Sequence, residues 1–208
     1  MELIQKYFPT LEAPTTQRLQ HYAELLADWN SRINLISRKD TESIIQNHIL
    51  HSLSIARLIE FHPFSNVLDL GTGGGLPGIP LAIIFPKTQF HLVDSIGKKI
   101  VAVQRMITDL GLENCTAEQC RVEQHQGTYD FVVTRAVAQS VKLVDWTKHL
   151  FAHYHEHDLK NGILALKGGD LKEEMKAVKR INKVHHLSKW YEEEFFETKK
   201  LVYIRMRK

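Results

Sequence analysis

Residues 67–78 read Val-Leu-Asp-Leu-Gly-Thr-Gly-Gly-Gly-Leu-Pro-Gly. A short apolar run that ends in glycines lets the backbone turn tightly and approach a ligand with no side chain in between. A helix expected behind it, over 77–85, aims free amides and its positive end into the same space. That combination suits a nucleotide-like ligand. Asp94 closes the next apolar run and stands 23 residues beyond Gly71. An acid there can accept hydrogen bonds from ribose hydroxyls. The glycines alone leave two registers open. Gly71, Gly73 and Gly75 fit GxGxG, while Gly73, Gly75 and Gly78 fit the GxGxxG of dinucleotide sites.

The elements that must position this loop follow from hydrophobic periodicity. Leu19, Tyr22, Leu26, Trp29 and Ile33 recur at steps of three and four, which predicts an amphipathic helix. A second helical stretch is predicted over 41–60, with Ile45, Ile49, Leu53, Ala56 and Ile59 facing inward. Beyond Pro63 the pattern changes. Short strands are predicted at 66–70, 89–94, 115–118, 131–134 and 163–167. Helices are predicted between them: 77–85, the stretch from Ile96 to Leu110 that Gly111 stops, and 141–152. A helix over 171–181 and strands over 184–191 and 200–207 complete the chain. Alternating strands and helices imply a mostly parallel sheet covered on both faces, and the last two strands read as an antiparallel hairpin. This α/β, Rossmann-like arrangement of seven strands resembles the class I S-adenosylmethionine-dependent methyltransferase fold. It divides the chain into a helical N-terminal extension, 1–62, and a methyltransferase domain, 63–208. Asp69, two residues before Gly71, matches the D-x-G-x-G-x-G of that class. Asp69 and the hairpin favour the methyl donor over NAD.

The run Asp69-Leu70-Gly71-Thr72-Gly73-Gly74-Gly75-Leu76-Pro77-Gly78-Ile79-Pro80 resembles the signature of the glucose-inhibited division protein B family. Members of that family are small-subunit ribosomal RNA guanine-N7 methyltransferases. Further matches are Trp29-Asn30 with Ile33-Asn34-Leu35, and Asn47-His48-Ile49-Leu50-His51-Ser52. Leu92-Val93-Asp94-Ser95, Gly97-Lys98-Lys99, Arg121-Val122-Glu123, Thr134-Arg135-Ala136 and Leu164-Ala165-Leu166-Lys167-Gly168 follow in the family's order. The resemblance spans roughly Trp29 to Gly168. Gly74 stands where the family commonly has proline, and His51 where it commonly has an acid. The resemblance implies S-adenosylmethionine as cofactor, with Gly71 and Leu76 lining its pocket. It implies Asp94 and Ser95 at the adenosine end and Val122 and Glu123 beside the adenine; Asp69 and Gly73 belong to the same loop. Arg135 would sit beside cofactor and substrate, and Lys167 would face the RNA, these two being the catalytic candidates. The implied partner is 16S ribosomal RNA or the small ribosomal subunit, at a guanosine of the decoding-region loop.

The residues restrict the reaction. No Asn/Asp-Pro-Pro-Tyr/Phe motif occurs, which argues against exocyclic amine methylation. Cys115 and Cys120 lie in no Pro-Cys motif, which argues against a C5-pyrimidine nucleophile. Guanine N7 is already nucleophilic and exposed in the major groove, so no base need remove a proton. Catalysis then reduces to proximity and alignment, and the forked donors of Arg135 suit a guanine or a phosphate. The alternatives are an NAD-dependent oxidoreductase using the second glycine register and a non-catalytic rRNA-binding or ribosome-assembly module.

Charge is uneven. The chain of 208 residues carries a formal +3, yet Lys160 to Lys208 hold thirteen Lys/Arg against seven Asp/Glu, a net of +6. The preceding 159 residues carry −3. Lys172, Lys176, Lys179 and Lys183 recur at helical steps and are RNA-contact candidates, as are Lys98 and Lys99. His149, His153, His155 and His157 read as a polar loop rather than a zinc site, and no metal is expected. Two cysteines, no signal pattern and no apolar run near 20 residues suggest a cytoplasmic protein with no membrane partner, acting as a monomer.

Overall fold

The computed structural model describes residues 1–206, and of Arg38 and Lys39 the backbone alone. The N-terminal segment is helical. α1 spans Glu2–Tyr7 and α2 spans Ala13–Arg32, entered through Pro14 in its first turn. Leu19, Tyr22 and Leu26 are fully buried as their spacing predicts; Trp29 is half-buried, and Ile33 already lies past the helix end. The stretch expected as one helix over 41–60 is broken into turns of different pitch. A 3-10 turn (Arg38–Ser43) leads to a π-helical turn (Ile45–Leu50), then α3 (His51–Leu53) and another 3-10 turn (Ser54–Arg57). Periodicity over 41–60 could not show this, because Ile49 and Leu53 are buried in any of these pitches.

The rest is a sheet with helices. β1 (Asn66–Leu70), α4 (Gly78–Ile84), β2 (Gln89–Asp94), α5 (Gly97–Asp109), β3 (Cys115–Gln119), β4 (Phe131–Arg135) and α6 (Ser140–Thr147) follow in order. β5 (Gly162–Gly168), α7 (Lys172–Ala177), β6 (Asn182–His186) and β7 (Lys199–Arg205) complete the described chain. The strand order is β3-β2-β1-β4-β5-β7-β6. β1 to β5 pair in parallel; β7 runs antiparallel to β5 and to β6. Order reverses between β1 and β4, and ligands of open α/β sheets bind in the crevice such a reversal opens.

Period-two alternation sorts the side chains into two apolar layers. Val67, Phe131, Val133 and Leu164 join the N-terminal helices, α4 and α5 on one face. Leu68, Val132, Ile163 and Val202 meet Leu143, Leu171 and Val178 on the other.

Two C-terminal expectations need correction. The helix expected over 171–181 stops at Ala177, because Val178 turns into the apolar layer and Asn182 pairs with Ile204 of β7. Lys179 and Lys183 therefore do not continue the row begun by Lys172 and Lys176, and the four-lysine stripe does not exist. The strand expected over 184–191 ends at His186; Leu187, fully buried, begins a 3-10 turn instead. Of the strand expected over 200–207, Arg207 lies outside the described residues. His157 also departs from the polar-loop reading: it is buried, and its Nε2 accepts from the His62 amide at 3.0 Å.

Candidate active site

A cleft of about 850 Å³ opens over the carboxyl ends of β1, β2, β4 and β5. That volume suits a nucleoside-sized ligand with room beside it. Gly71 and Gly73 line it with left-handed backbone, φ +67° and +60°. A Cβ on Gly73 would meet only the Leu35 carbonyl, at 3.8 Å, so its backbone presents an open surface to the cleft. Gly75 and Gly78 do other work. A Cβ on Gly78 would lie 2.6 Å from Asp69 Oδ2 and 2.8 Å from Leu92, so Gly78 lets α4 pack directly on the sheet. Neither Gly75 nor Gly78 lines the cleft; of the loop glycines, Gly71, Gly73 and Gly74 do.

The two acids of the motif differ in place. Asp69 is fully buried beneath the loop, outside the cleft lining. Its Oδ2 accepts from Thr72 Oγ1 (2.6 Å) and from the Gly78 amide (2.9 Å). Burial pushes its pKa up to about 7, against the pull of those two bonds. Asp69 thus shapes the loop from behind, where the sequence suggested a cofactor contact. Asp94 reaches the cleft at the end of β2; Oδ2 accepts from the Gly73 amide (3.0 Å) and Oδ1 from the Ile96 amide (2.9 Å). Each oxygen keeps a lone pair for a further donor. Leu76, Ser95, Val122 and Glu123 line the same cleft.

Arg135 ends β4 opposite the loop and lines the cleft. Its Nη1 donates to His48 Nδ1 at 2.7 Å and to the Asn47 carbonyl at 3.3 Å. Because Arg can only donate, His48 must be neutral with its proton on Nε2. Burial, helped by the charge of Arg135, lowers the pKa of His48 to about 4, which keeps it neutral. Its Nε2 faces Asp40 Oδ2 at 3.6 Å, and Asp40 Oδ1 accepts from Asn47 Nδ2 at 3.1 Å. The π turn carries Asn47 and His48 and delivers both to the cleft, a recurrent use of that geometry. No carboxylate lies within ion-pair distance of Arg135 among the described residues. His51 lines the cleft edge-on to Phe195, and burial holds its pKa well below the ordinary value.

Lys167 also lines the cleft, at the end of β5. Its ammonium is held by the Ala138 carbonyl (2.7 Å) and Glu174 Oε1 (2.8 Å), and the same oxygen accepts from the Ser140 amide and hydroxyl. These bonds draw the pKa of Glu174 down against its burial. Lys99 lines the cleft; Lys98, Lys172, Lys176 and Lys179 are exposed outside it, and Lys176 pairs with Glu173. Sequence reasoning passed over Asp40 and Lys199 and gave Asn47 no role beyond its place in the family resemblance; all three are in the lining. Lys199 could have been found from the hairpin, since antiparallel pairing places the start of β7 beside Gly168 at the end of β5.

The strand order, the reversal at β1/β4 and a glycine loop facing an acid at the end of β2 define a class I methyltransferase. A solved S-adenosylmethionine-dependent methyltransferase from Aquifex aeolicus shares this fold with a TM-score of 0.58 at 13% identity, over 80% of this chain and 94% of that one. The pattern of the rRNA small subunit methyltransferase G family matches residues 15–202, and the chain belongs to that family. Two relatives bear the name ribosomal RNA small subunit methyltransferase G. The Christiangramia forsetii protein is 51% identical, covering 100% of this chain and 98% of the relative. The Flavobacterium johnsoniae protein is 49% identical, covering 100% and 99%. The protein is accordingly a methyltransferase that takes S-adenosylmethionine as cofactor. No described helix is long and apolar enough to cross a membrane.

Proposed function

We propose that this protein methylates guanine N7 in 16S ribosomal RNA, in the cytoplasm, as a monomer acting on the RNA or on the small subunit. The observation that carries the reading is Arg135, buried at the end of β4, anchored by neutral acceptors, with no carboxylate at ion-pair distance among the described residues. Its remaining donors fit a phosphate or guanine O6, which leaves N7 free. Asp94 and Ser95 would hold the ribose, Val122 and Glu123 would flank the adenine, and Gly71, Gly73 and Leu76 would give the loop surface for the rest. The open backbone of Gly73 and the spare lone pairs of Asp94 fit S-adenosylmethionine. When bound, the cofactor supplies an electrophilic methyl group on a sulfonium.

The chain's own part is alignment and exclusion of water, since N7 carries no proton to be removed. Lys167 acts by positioning, because Ala138 and Glu174 already hold its ammonium. Residues 1–62 serve as a cap carrying Asn47 and His48 to Arg135, while 63–208 hold the cofactor. Lys98, Lys172, Lys176 and Lys179 form an outer RNA-facing surface of lesser weight, and Lys99 faces the RNA from the cleft.

Methyl transfer from labelled donor into undermethylated 16S rRNA and small subunits tests this, with mass-spectrometric mapping of the product. Arg135→Ala should abolish transfer and leave S-adenosylmethionine affinity intact. Undiminished transfer would remove Arg135 from the site. Label on any atom other than guanine N7 would overturn the reaction, and no label at all would favour a non-catalytic RNA-binding module.

A further inference from the structure

His91 of β2, Glu118 of β3 and His125 of the loop beyond it gather outside the cleft lining. One potential ligand atom from each lies within 4.8 Å of the others. His125 Nδ1 is 2.9 Å, and His91 Nε2 3.4 Å, from the same oxygen, Glu118 Oε1. The parallel register explains the meeting: His91 lies level with Thr116, and Glu118 follows two residues on, on the same face. Each ring's other nitrogen is held. His91 Nδ1 pairs with Thr116 Oγ1 at 2.9 Å and His125 Nε2 with the Tyr129 hydroxyl at 2.7 Å. Outer contacts of this kind orient histidines that bind metals. His91 Nε2 is buried with no hydrogen-bond partner among the described residues, a deficit that a cation would relieve.

We propose that His91, Glu118 and His125 form a site for a divalent transition metal, with Zn²⁺ as the best match. Two imidazoles and one carboxylate suit zinc better than calcium or magnesium, and a water completes the fourth position. Tetrahedral ligands at about 2.0–2.1 Å from an ion stand about 3.4 Å apart. The present separations bracket that value. The rings stack, centroids 5.2 Å apart and planes 27° apart, so ligation requires the His91 ring to tilt. Its side chain is 28% exposed and has room to do so.

The ion would bridge β2, β3 and the loop over 120–127. The His125 amide donates to the Val122 carbonyl at 3.2 Å, and Val122 lines the cleft. Metal binding would therefore fasten the wall proposed for the adenine without touching the reacting atoms. This site stands on its own residues, independently of the RNA target.

The test is metal titration of the full chain after chelator treatment. Zn²⁺ is followed by equilibrium dialysis with elemental analysis, and Co²⁺ by its visible spectrum. One tightly held equivalent, a four-coordinate Co²⁺ band and a metal-dependent rise in Tm are expected. Glu118→Gln and His91→Gln, both at positions with solvent access, should weaken Zn²⁺ binding about 10-fold or more. A His153→Gln/His155→Gln control should bind as the unmodified chain does. Circular dichroism of each variant separates loss of ligands from loss of fold, and the exposed Glu118 position keeps at least one variant readable. Failure of the unmodified chain to bind Zn²⁺, or equal binding by both variants, overturns the proposal.

Discussion

On the glycine-loop wall of the cleft, three of the four bonds to the two carboxylates come from backbone amides, Gly78 to Asp69 and Gly73 and Ile96 to Asp94, and the Thr72 hydroxyl gives Asp69 its other bond. On the opposite wall the carbonyls of Asn47 and Ala138 help, but each charged group is also held by another side chain. Arg135 leans on His48, His48 faces Asp40, and Lys167 pairs with Glu174. Backbone holds allow no substitution at the glycines but tolerate change around them. Side-chain holds concentrate the risk in single residues, and those residues come from distant parts of the chain. A loop that receives one fixed cofactor gains from the first arrangement. A wall that must meet a large RNA gains from the second, where tuning one side chain need not disturb the sheet.

The sharpest way to break this comparison is Gly78→Ala, with the largest expected effect. The new Cβ would lie 2.6 Å from Asp69 Oδ2 and 2.8 Å from Leu92, so those two buried side chains or α4 must shift. A loss of about 2–4 kcal/mol in stability is expected, from overpacking plus a disturbed charge-assisted bond. S-adenosylmethionine affinity should fall together with it. Thermal melts and calorimetric titration check both, and retention of either near the unmodified value would mean the wall does not depend on this contact.

His48→Ala probes the other wall and should split the readouts. Removing the imidazole deprives Arg135 of its nearest acceptor while the glycine loop stays intact. Turnover should fall about 10- to 100-fold, the range expected for a misplaced positioning group. S-adenosylmethionine affinity should stay within about threefold on the same ground, since the loop makes no bond to His48. His48→Asn, whose amide oxygen can occupy the place of Nδ1, should restore much of the turnover. If Ala and Asn behave alike, the hydrogen bond to Arg135 is not what His48 contributes.

The same contrast governs how much could be read from the sequence. The glycine-loop wall is contiguous from Val67 to Gly78, with Asp94 one strand away. Spacing alone located it, together with the bounds of β1 and β2. The other wall joins residues 40–48 to Arg135 and Lys199, which only the fold brings together. Arg135 entered through family resemblance, and His48 gained its meaning from the π turn, which hydrophobic spacing does not register. The C-terminal region misled for a related reason. Lys172 to Lys183 is spaced like a helix, but Asn182 and Val184 gain more by pairing with β7. Pairing with a distant strand overrides local periodicity. Asp69 shows the limit inside the legible wall: its spacing marks it as part of the motif, but only burial reveals that it supports the loop from below.

That burial sets the last expected effect, a change of slope with pH. In the native protein the Asp69 carboxyl has its pKa raised to about 7, from 3.8. A raised folded-state pKa means that the native state holds this proton more tightly than the unfolded chain does. The associated stability is fully present below about pH 4 and is lost as pH rises through about 7. Asp69→Asn removes the titration, and its amide oxygen can still accept from Thr72 and Gly78. At about pH 4 and below the carboxyl is protonated in the native chain and largely so in the unfolded one, and is nearly isosteric with the amide, so the two chains should melt within about 1 kcal/mol of each other. Between about pH 4 and pH 7 the Asp69→Asn chain should gain steadily on the unmodified one, because the unfolded carboxyl gives up the proton that the buried one must keep, and above about pH 7 the difference should level off. Parallel melting curves over that range give the difference directly, because every other titrating group cancels. A difference that stays constant with pH would mean Asp69 ionises as an ordinary carboxylate. The glycine-loop wall would then rest on a charge, as the Lys167–Glu174 pair does, instead of on backbone amides closed around a carboxyl kept out of water.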